Sequence, residues 1–140
     1  MSDSAFVDSN VWLYALVLRP GEENRHQQAR GLIDAPLQRT ISEQVVAEVS
    51  CNLLRKAKLG EDRLLPVVES FYSRCHVIAP HLGLHQCAHL LRERYKFSYW
   101  DSMIVAAALE GDCATLYSED MHHGLVVDNR LTIVDPFKAG

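Results

Sequence analysis

The chain has 140 residues, enough for one domain that buries roughly two thirds of the surface its unfolded form would expose. Its composition, 48% hydrophobic and 23% charged with 7 Gly and 5 Pro, excludes collagenous, low-complexity and disordered chains. The net charge of −4, from 14 Lys+Arg against 18 Asp+Glu, argues against a strongly basic nucleic-acid-binding face and makes the placement of the acids the central question.

Ala5 to Val7 is a short apolar run that stops at Asp8-Ser9-Asn10, a turn or cap signal. Val11 to Leu18 predicts a mostly buried helix ended by Arg19-Pro20-Gly21, and Glu22 to Asp34 a polar helix closed by Pro36. Arg39-Thr40-Ile41 is a strand candidate. Ser42 then caps a helix over 43–58, with Val45, Val46, Val49, Leu53 and Leu54 at helical spacing and Gly60 as its stop. Leu64 to Tyr72 carries another helix, Cys75 to Ile78 a strand, and Leu84 to Tyr95 a helix. Trp100 to Glu110 is apolar nearly all round, the mark of a buried helix, and Gly111 ends it. Cys113 to Tyr117 and Leu131 to Val134 complete the strands. Strands alternating with helices predict an α/β fold on a mostly parallel sheet in one domain.

No run approaches the ~18 apolar residues of a membrane span. The opening MSDSAFVDSN lacks the basic-then-apolar order of a secretory signal. Cys51, Cys75, Cys87 and Cys113 lie far apart in apolar surroundings and read as free, mostly buried thiols. The expectation is a cytoplasmic protein without membrane contact.

Ligands of open parallel sheets bind beyond the carboxyl ends of the strands. Asp8 follows the first strand there, and Ser118, Glu119 and Asp120 follow the fourth. Glu48 lies at the border of an apolar helical stripe, and Asp101 opens the buried helix. Each has an ordinary structural reading: Asp8 and Asp120 as cap or turn residues, Glu48 as a solvated edge, Asp101 as part of a capping box with Ser98. Gathered at one edge, the four would repel one another and call for a cation, and hard carboxylate oxygens suit Mg²⁺ or Mn²⁺ with a substrate phosphate.

The segments that carry these acids resemble the ordered motifs of PIN-domain nucleases: Phe6-Val7-Asp8-Ser9-Asn10-Val11, then Ile41-Ser42-Glu43-Gln44-Val45-Val46-Ala47-Glu48, then Tyr99-Trp100-Asp101-Ser102-Met103-Ile104, then Leu116-Tyr117-Ser118-Glu119-Asp120-Met121 with Gly124. The short single-domain form is most similar to VapC-type toxins of bacterial toxin–antitoxin pairs. The resemblance implies a three-layer α/β/α sandwich around a five-stranded, mostly parallel sheet and a Mg²⁺- or Mn²⁺-dependent endoribonuclease. It implies Asp8, Glu48, Asp101 and Asp120 as catalytic acids, with Asp8, Asp101 and Asp120 as metal ligands and Asp120 favoured over the adjacent Glu119. Ser9, Asn10 and Ser118 are implied to hold the substrate pocket. The implied partners are RNA, a second copy in a homodimer with the apolar first and third helices as interface material, and a small antitoxin whose C-terminal segment enters the acidic groove. Trp100 stands where the family carries an aromatic or small residue.

His81, His85 and His89 share one side of a helix but lack the HExxH pattern of a zinc site, so they read as a solvated face. His122-His123 read as a surface turn beside Asp120. The basic groups Arg55, Lys56, Lys58 and Arg92, Arg94, Lys96 read either as helix ends or as holders of an RNA backbone. Two other functions compete: a non-catalytic PIN-like RNA- or protein-binding module, and a phosphatase on another doubly wound fold. The second lacks an Asp-x-Asp pair at Asp8-Ser9-Asn10. The GxGxxG and P-loop patterns of nucleotide-binding folds are absent as well. Setting aside the four motif acids leaves 14 acids against 14 bases, so the acidic total no longer excludes RNA.

Overall fold

All three residues of β1 (Ala5–Val7) are buried, as expected of a parallel strand with helices on both of its faces. The computed structural model describes residues 4–36 and 38–138. After β1 come α1 (Ser9–Leu16), α2 (Glu23–Asp34), β2 (Arg39–Ser42), α3 (Glu43–Arg55), α4 (Glu61–Arg74), β3 (His76–Ile78), α5 (Leu82–Tyr95), α6 (Tyr99–Glu110), β4 (Thr115–Tyr117), β5 (Val126–Val127) and β6 (Leu131–Val134). The sheet runs β3-β2-β1-β4-β6-β5. The first five strands of that order are parallel, and β5 is antiparallel, against β6.

The chain builds outward from β1 through β2 to β3, then returns to lay β4 and β6 on the other side. The direction of winding therefore reverses between β1 and β4, where Val7 is level with Tyr117. That crevice is where a doubly wound sheet presents its ligand site. Helix α1 packs on α2 and α3, and α3 on α4, while α5 pairs with α6, which lies along β2 and β4. The three layers enclose one core in which Phe6, Ile41, Leu116 and Ile133 of the strands meet Val45, Val49 and Val105 of the helices.

The strand expectation is met for five strands and falls short by one. Strand β5 has two residues, too few for an alternating pattern to register. It forms a hairpin with β6 through Asp128 and Asn129, both in the left-handed region at φ 52° and 56°, which Asp and Asn tolerate. Helix α3 ends at Arg55 rather than at residue 58, because Lys58 adopts a left-handed conformation at φ 57°. Gly60 does not stop α3; it is the N-cap of α4, which starts at Glu61 with two acids in its first turn. Gly111 does end α6. A Cβ there would stand 2.8 Å from Thr40 Cγ2, so glycine lets the helix end approach β2.

The four cysteines are free, but the expectation that they are mostly buried holds only for Cys113; Cys75 and Cys87 are half-buried and Cys51 is exposed. Among the described residues no helix is long and apolar enough to cross a membrane.

Candidate active site

Asp8 is the first residue past β1 and the N-cap of α1. Its Oδ1 accepts a hydrogen bond from Ser9 N at 2.8 Å, so the cap reading is correct. Its Oδ2 accepts from Ser118 Oγ at 2.8 Å. Ser118 follows β4 and is 0% exposed, behind an Asp8 that is itself only 7% exposed. The switch point of the sheet thus holds a buried carboxylate clamped from both neighbouring strands. Each oxygen uses one acceptor site on this clamp and keeps another.

The remaining acids approach from three other elements. Glu48, two turns into α3, accepts from Ser9 Oγ at 3.2 Å. Asp101 is the third residue of α6, and its backbone N–H donates to Ser98 Oγ at 3.1 Å, one half of the expected capping box. Asp120, on the loop after β4, accepts from Asn10 Nδ2 at 3.3 Å, while Asn10 Oδ1 accepts from Glu119 N at 3.2 Å. Asn10 therefore latches that loop to α1.

All four carboxylates line one cleft of about 160 Å³, together with Ser9, Asn10, Gln44 and Trp100. Ser118 does not line it; it acts on the cleft only by holding Asp8. Glu119 faces elsewhere, ion-paired with Arg25 and accepting from Tyr14 Oη at 3.0 Å.

Among the described residues no Lys, Arg or His lines this cleft. Burial pushes the Asp8 carboxyl up to about 6 from the usual 3.8; the Ser118 and Ser9 hydrogen bonds oppose this, while the Glu48 and Asp101 charges add to it. Asp101 is also raised, first by burial, with Ser98 opposing and Asp120 adding. The acids therefore feel one another with no cationic side chain to offset them, and their oxygens are the donors that Mg²⁺ or Mn²⁺ prefers. Among the described residues no three His, Cys, Asp or Glu side chains close around a single point as a ready-made cage. Mg²⁺ does not demand one, since it keeps several waters and binds through one or two carboxylates plus substrate phosphate. The donor set fits such an ion.

The other candidates lie outside the cleft. His81 hydrogen-bonds to Glu110, and His89 stands 3.3 Å from Glu93. Along with His85 they are exposed, as expected of a solvated face. His123 Nδ1 accepts from Asp135 N at 2.9 Å. Arg92 donates to Ser102 Oγ at 2.8 Å and Arg94 pairs with Asp128 at 3.1 Å, so neither is poised over the acids. Sequence reasoning passed over Gln44, although it stands one turn before Glu48 and so on the same helix face. It also passed over the Tyr14–Arg25–Glu119 network, which joins three segments and has no local signal.

Solved structures share the fold. A toxin–antitoxin complex from Klebsiella pneumoniae is 20% identical, with 96% of this chain and 99% of that one covered at a TM-score of 0.71. DNA bound VapBC from Salmonella typhimurium is 18% identical, covering 97% and 99% at 0.66. VapC20 of Mycobacterium tuberculosis, a Sarcin-Ricin loop cleaving toxin, is 19% identical, covering 80% and 86% at 0.63. A comparison with curated protein sequences finds no match. The family model of the PIN domain matches residues 5–125, which takes in all four acid-bearing segments from β1 to the loop after β4, and the chain belongs to the PIN domain family.

Proposed function

We propose that this PIN domain is a divalent-cation-dependent endoribonuclease, the toxin of a VapC-type toxin–antitoxin pair acting in the cytoplasm. The observation that carries the reading is the convergence of Asp8, Glu48, Asp101 and Asp120 on a cleft lined by no basic side chain among the described residues. The toxins and toxin–antitoxin complexes among the similar structures support it.

In this reading Asp8, Asp101 and Asp120 hold Mg²⁺ or Mn²⁺. The chemistry such an ion supplies when bound is polarisation of a phosphoryl oxygen and neutralisation of developing charge. The chain's own residues set the geometry. Ser118 and the Ser9 N–H fix the rotation of the Asp8 carboxylate so that its free acceptor sites serve the cleft. Ser9 Oγ holds Glu48 by Oε1, which leaves Oε2 to accept a proton from an attacking water and orient it. Asn10 keeps Asp120 at the rim. Ser9 and Asn10 line the cleft beside the substrate phosphate, and Ser118 is a positioning residue behind it. A negative cleft also suits an antitoxin that presents an arginine, and a second copy completes the toxin as a homodimer.

The test is incubation with a pool of structured RNAs in Mg²⁺ or Mn²⁺, with the products sized and their ends mapped. Internal cuts by the wild-type protein, and a loss of at least about 100-fold in Asp8→Asn, are expected. Equal cleavage by Asp8→Asn would overturn the assignment.

A further inference from the structure

Beside the acid cleft lies a larger cavity of about 500 Å³ that the hydrolytic reading leaves unused. Its volume falls within the roughly 300–1,000 Å³ of small-ligand pockets. Ile78, Leu84 and Met103 supply apolar wall, and Tyr99 and Trp100 supply aromatic rings. Gln44, Glu48 and Trp100 line both the cavity and the acid cleft, so the two are neighbours across a shared wall.

Two features of this junction have no structural explanation. Trp100 is 63% exposed, although the next eight residues of α6, Ser102 to Leu109 after the half-buried Asp101, are buried. An indole in water is held in place from one side: Tyr99 packs against it edge-on, with centroids 4.9 Å apart at 89°. The Arg92 guanidinium, itself fixed on Ser102, lies 5.1 Å from the Tyr99 ring centre. The second feature is Gln44, whose buried Nε2 finds no hydrogen-bond partner among the described residues. A buried donor without an acceptor is costly to keep and points to a missing one.

The occupant must offer a flat ring for Trp100, an apolar body for the cavity and an acceptor for Gln44, and must be joined to a phosphate in the neighbouring cleft. The acids Glu43 and Glu48 on the cavity wall, against the single imidazole of His85, disfavour a second phosphate there and leave room for an uncharged ring. Building on the ribonuclease reading, we propose that Trp100, supported by Tyr99, forms a stacking platform for the nucleobase next to the scissile phosphate, with the Gln44 amide hydrogen-bonded to that base's edge.

The experiment uses an RNA whose cut has been mapped with the wild-type protein and Mn²⁺. The nucleotide on each side of the cut is made abasic in turn. One of these changes is expected to lower kcat/KM roughly 5- to 100-fold, the span of a single base–aromatic stack. Trp100→Ala is expected to lose as much on intact RNA and nothing further on that abasic RNA, while Trp100→Phe keeps most of the activity. With the wild-type protein, Mn²⁺ and an RNA made uncleavable at the mapped cut, RNA is expected to quench tryptophan fluorescence, and Trp100→Phe removes the quenching because the remaining Trp12 is buried. Gln44→Ala is expected to alter the base preferred at that one position. Trp100→Ala cleaving like the wild type, or remaining as sensitive to the abasic site, overturns the platform while leaving the ribonuclease intact. So does a Trp100→Ala protein that changes oligomeric state with its base sensitivity unchanged, since the face then belongs to a protein contact. A wild-type protein that cuts no RNA overturns both readings.

Discussion

Asp8 is held under two opposing influences: two hydrogen bonds favour its charged form, and burial beside Glu48 and Asp101 opposes it more strongly. With a folded pKa of about 6 against 3.8, the native state binds the proton more tightly than the unfolded chain. Stability without metal therefore falls as pH rises from about 4 through 6 and stays low above that. At pH 7 the ionised group costs the fold about 3 kcal/mol, an upper figure for what neutralising it returns. Urea unfolding in EDTA is expected to find Asp8→Asn more stable than wild type at pH 7, with the gap closing toward pH 4. An Asp8→Asn protein less stable at pH 7 contradicts this. Added Mg²⁺ or Mn²⁺ is expected to stabilise the wild type and leave Asp8→Asn unmoved. The position of Asp8 was legible because an acid directly after a buried strand has few other places to go. The preference for Asp120 over Glu119 came from the resemblance rather than from the two adjacent acids; in the fold Arg25 and Tyr14, more than ninety residues away, hold Glu119 out of the cleft.

Helix α6 carries Asp101 into the cleft, and both its ends are built for that placement. Ser98 caps its start through the Asp101 N–H. Ser98→Ala is expected to lower unfolding free energy by about 1 kcal/mol, with Ser98→Gly costing only a few tenths. Chemical denaturation checks both, and an unchanged Ser98→Ala removes the cap from the account. At the other end Gly111→Ala drives a methyl into Thr40 and is expected to cost about 1–3 kcal/mol. The long apolar run made this helix plain in the sequence, and its cap was visible as Ser98 three residues before Asp101. The ends of other elements were harder, for physical reasons. The end of α3 depends on a left-handed Lys58, a conformation that lysine does not advertise. Strand β5 exists only because β6 offers it a partner. The folding of Ser118 behind Asp8 needed the register of β1 on β4, which no local pattern encodes.

At the scale of the molecule, the −4 charge is concentrated rather than spread. Four of its acids share one cleft, and several bases are engaged in pairs of their own, such as Arg25 with Glu119 and Arg94 with Asp128; Arg19 and Lys56 line a neighbouring pocket that shares Asn10 and Leu13 with the cleft. RNA affinity in EDTA is therefore expected to be weak and to gain on adding Mg²⁺. Its log–log dependence on salt is expected to be shallower than about −3, reflecting only a few phosphate contacts. Filter binding with Asp8→Asn cannot replace the wild type here, since the ion needs the charge that this change removes.

In the proposed function the four acids work as one cation-dependent hydrolytic centre. Its most direct test is the rate of cleavage of one RNA as Mn²⁺ is titrated into metal-free protein, for the wild type and for Asp8→Asn, Glu48→Gln, Asp101→Asn and Asp120→Asn. A saturable dependence on Mn²⁺ is expected in the wild type, and a fall of at least about 100-fold in each variant at saturating metal. Cleavage that proceeds at full rate in excess EDTA, or that survives the loss of Asp8 and Asp101, would contradict it.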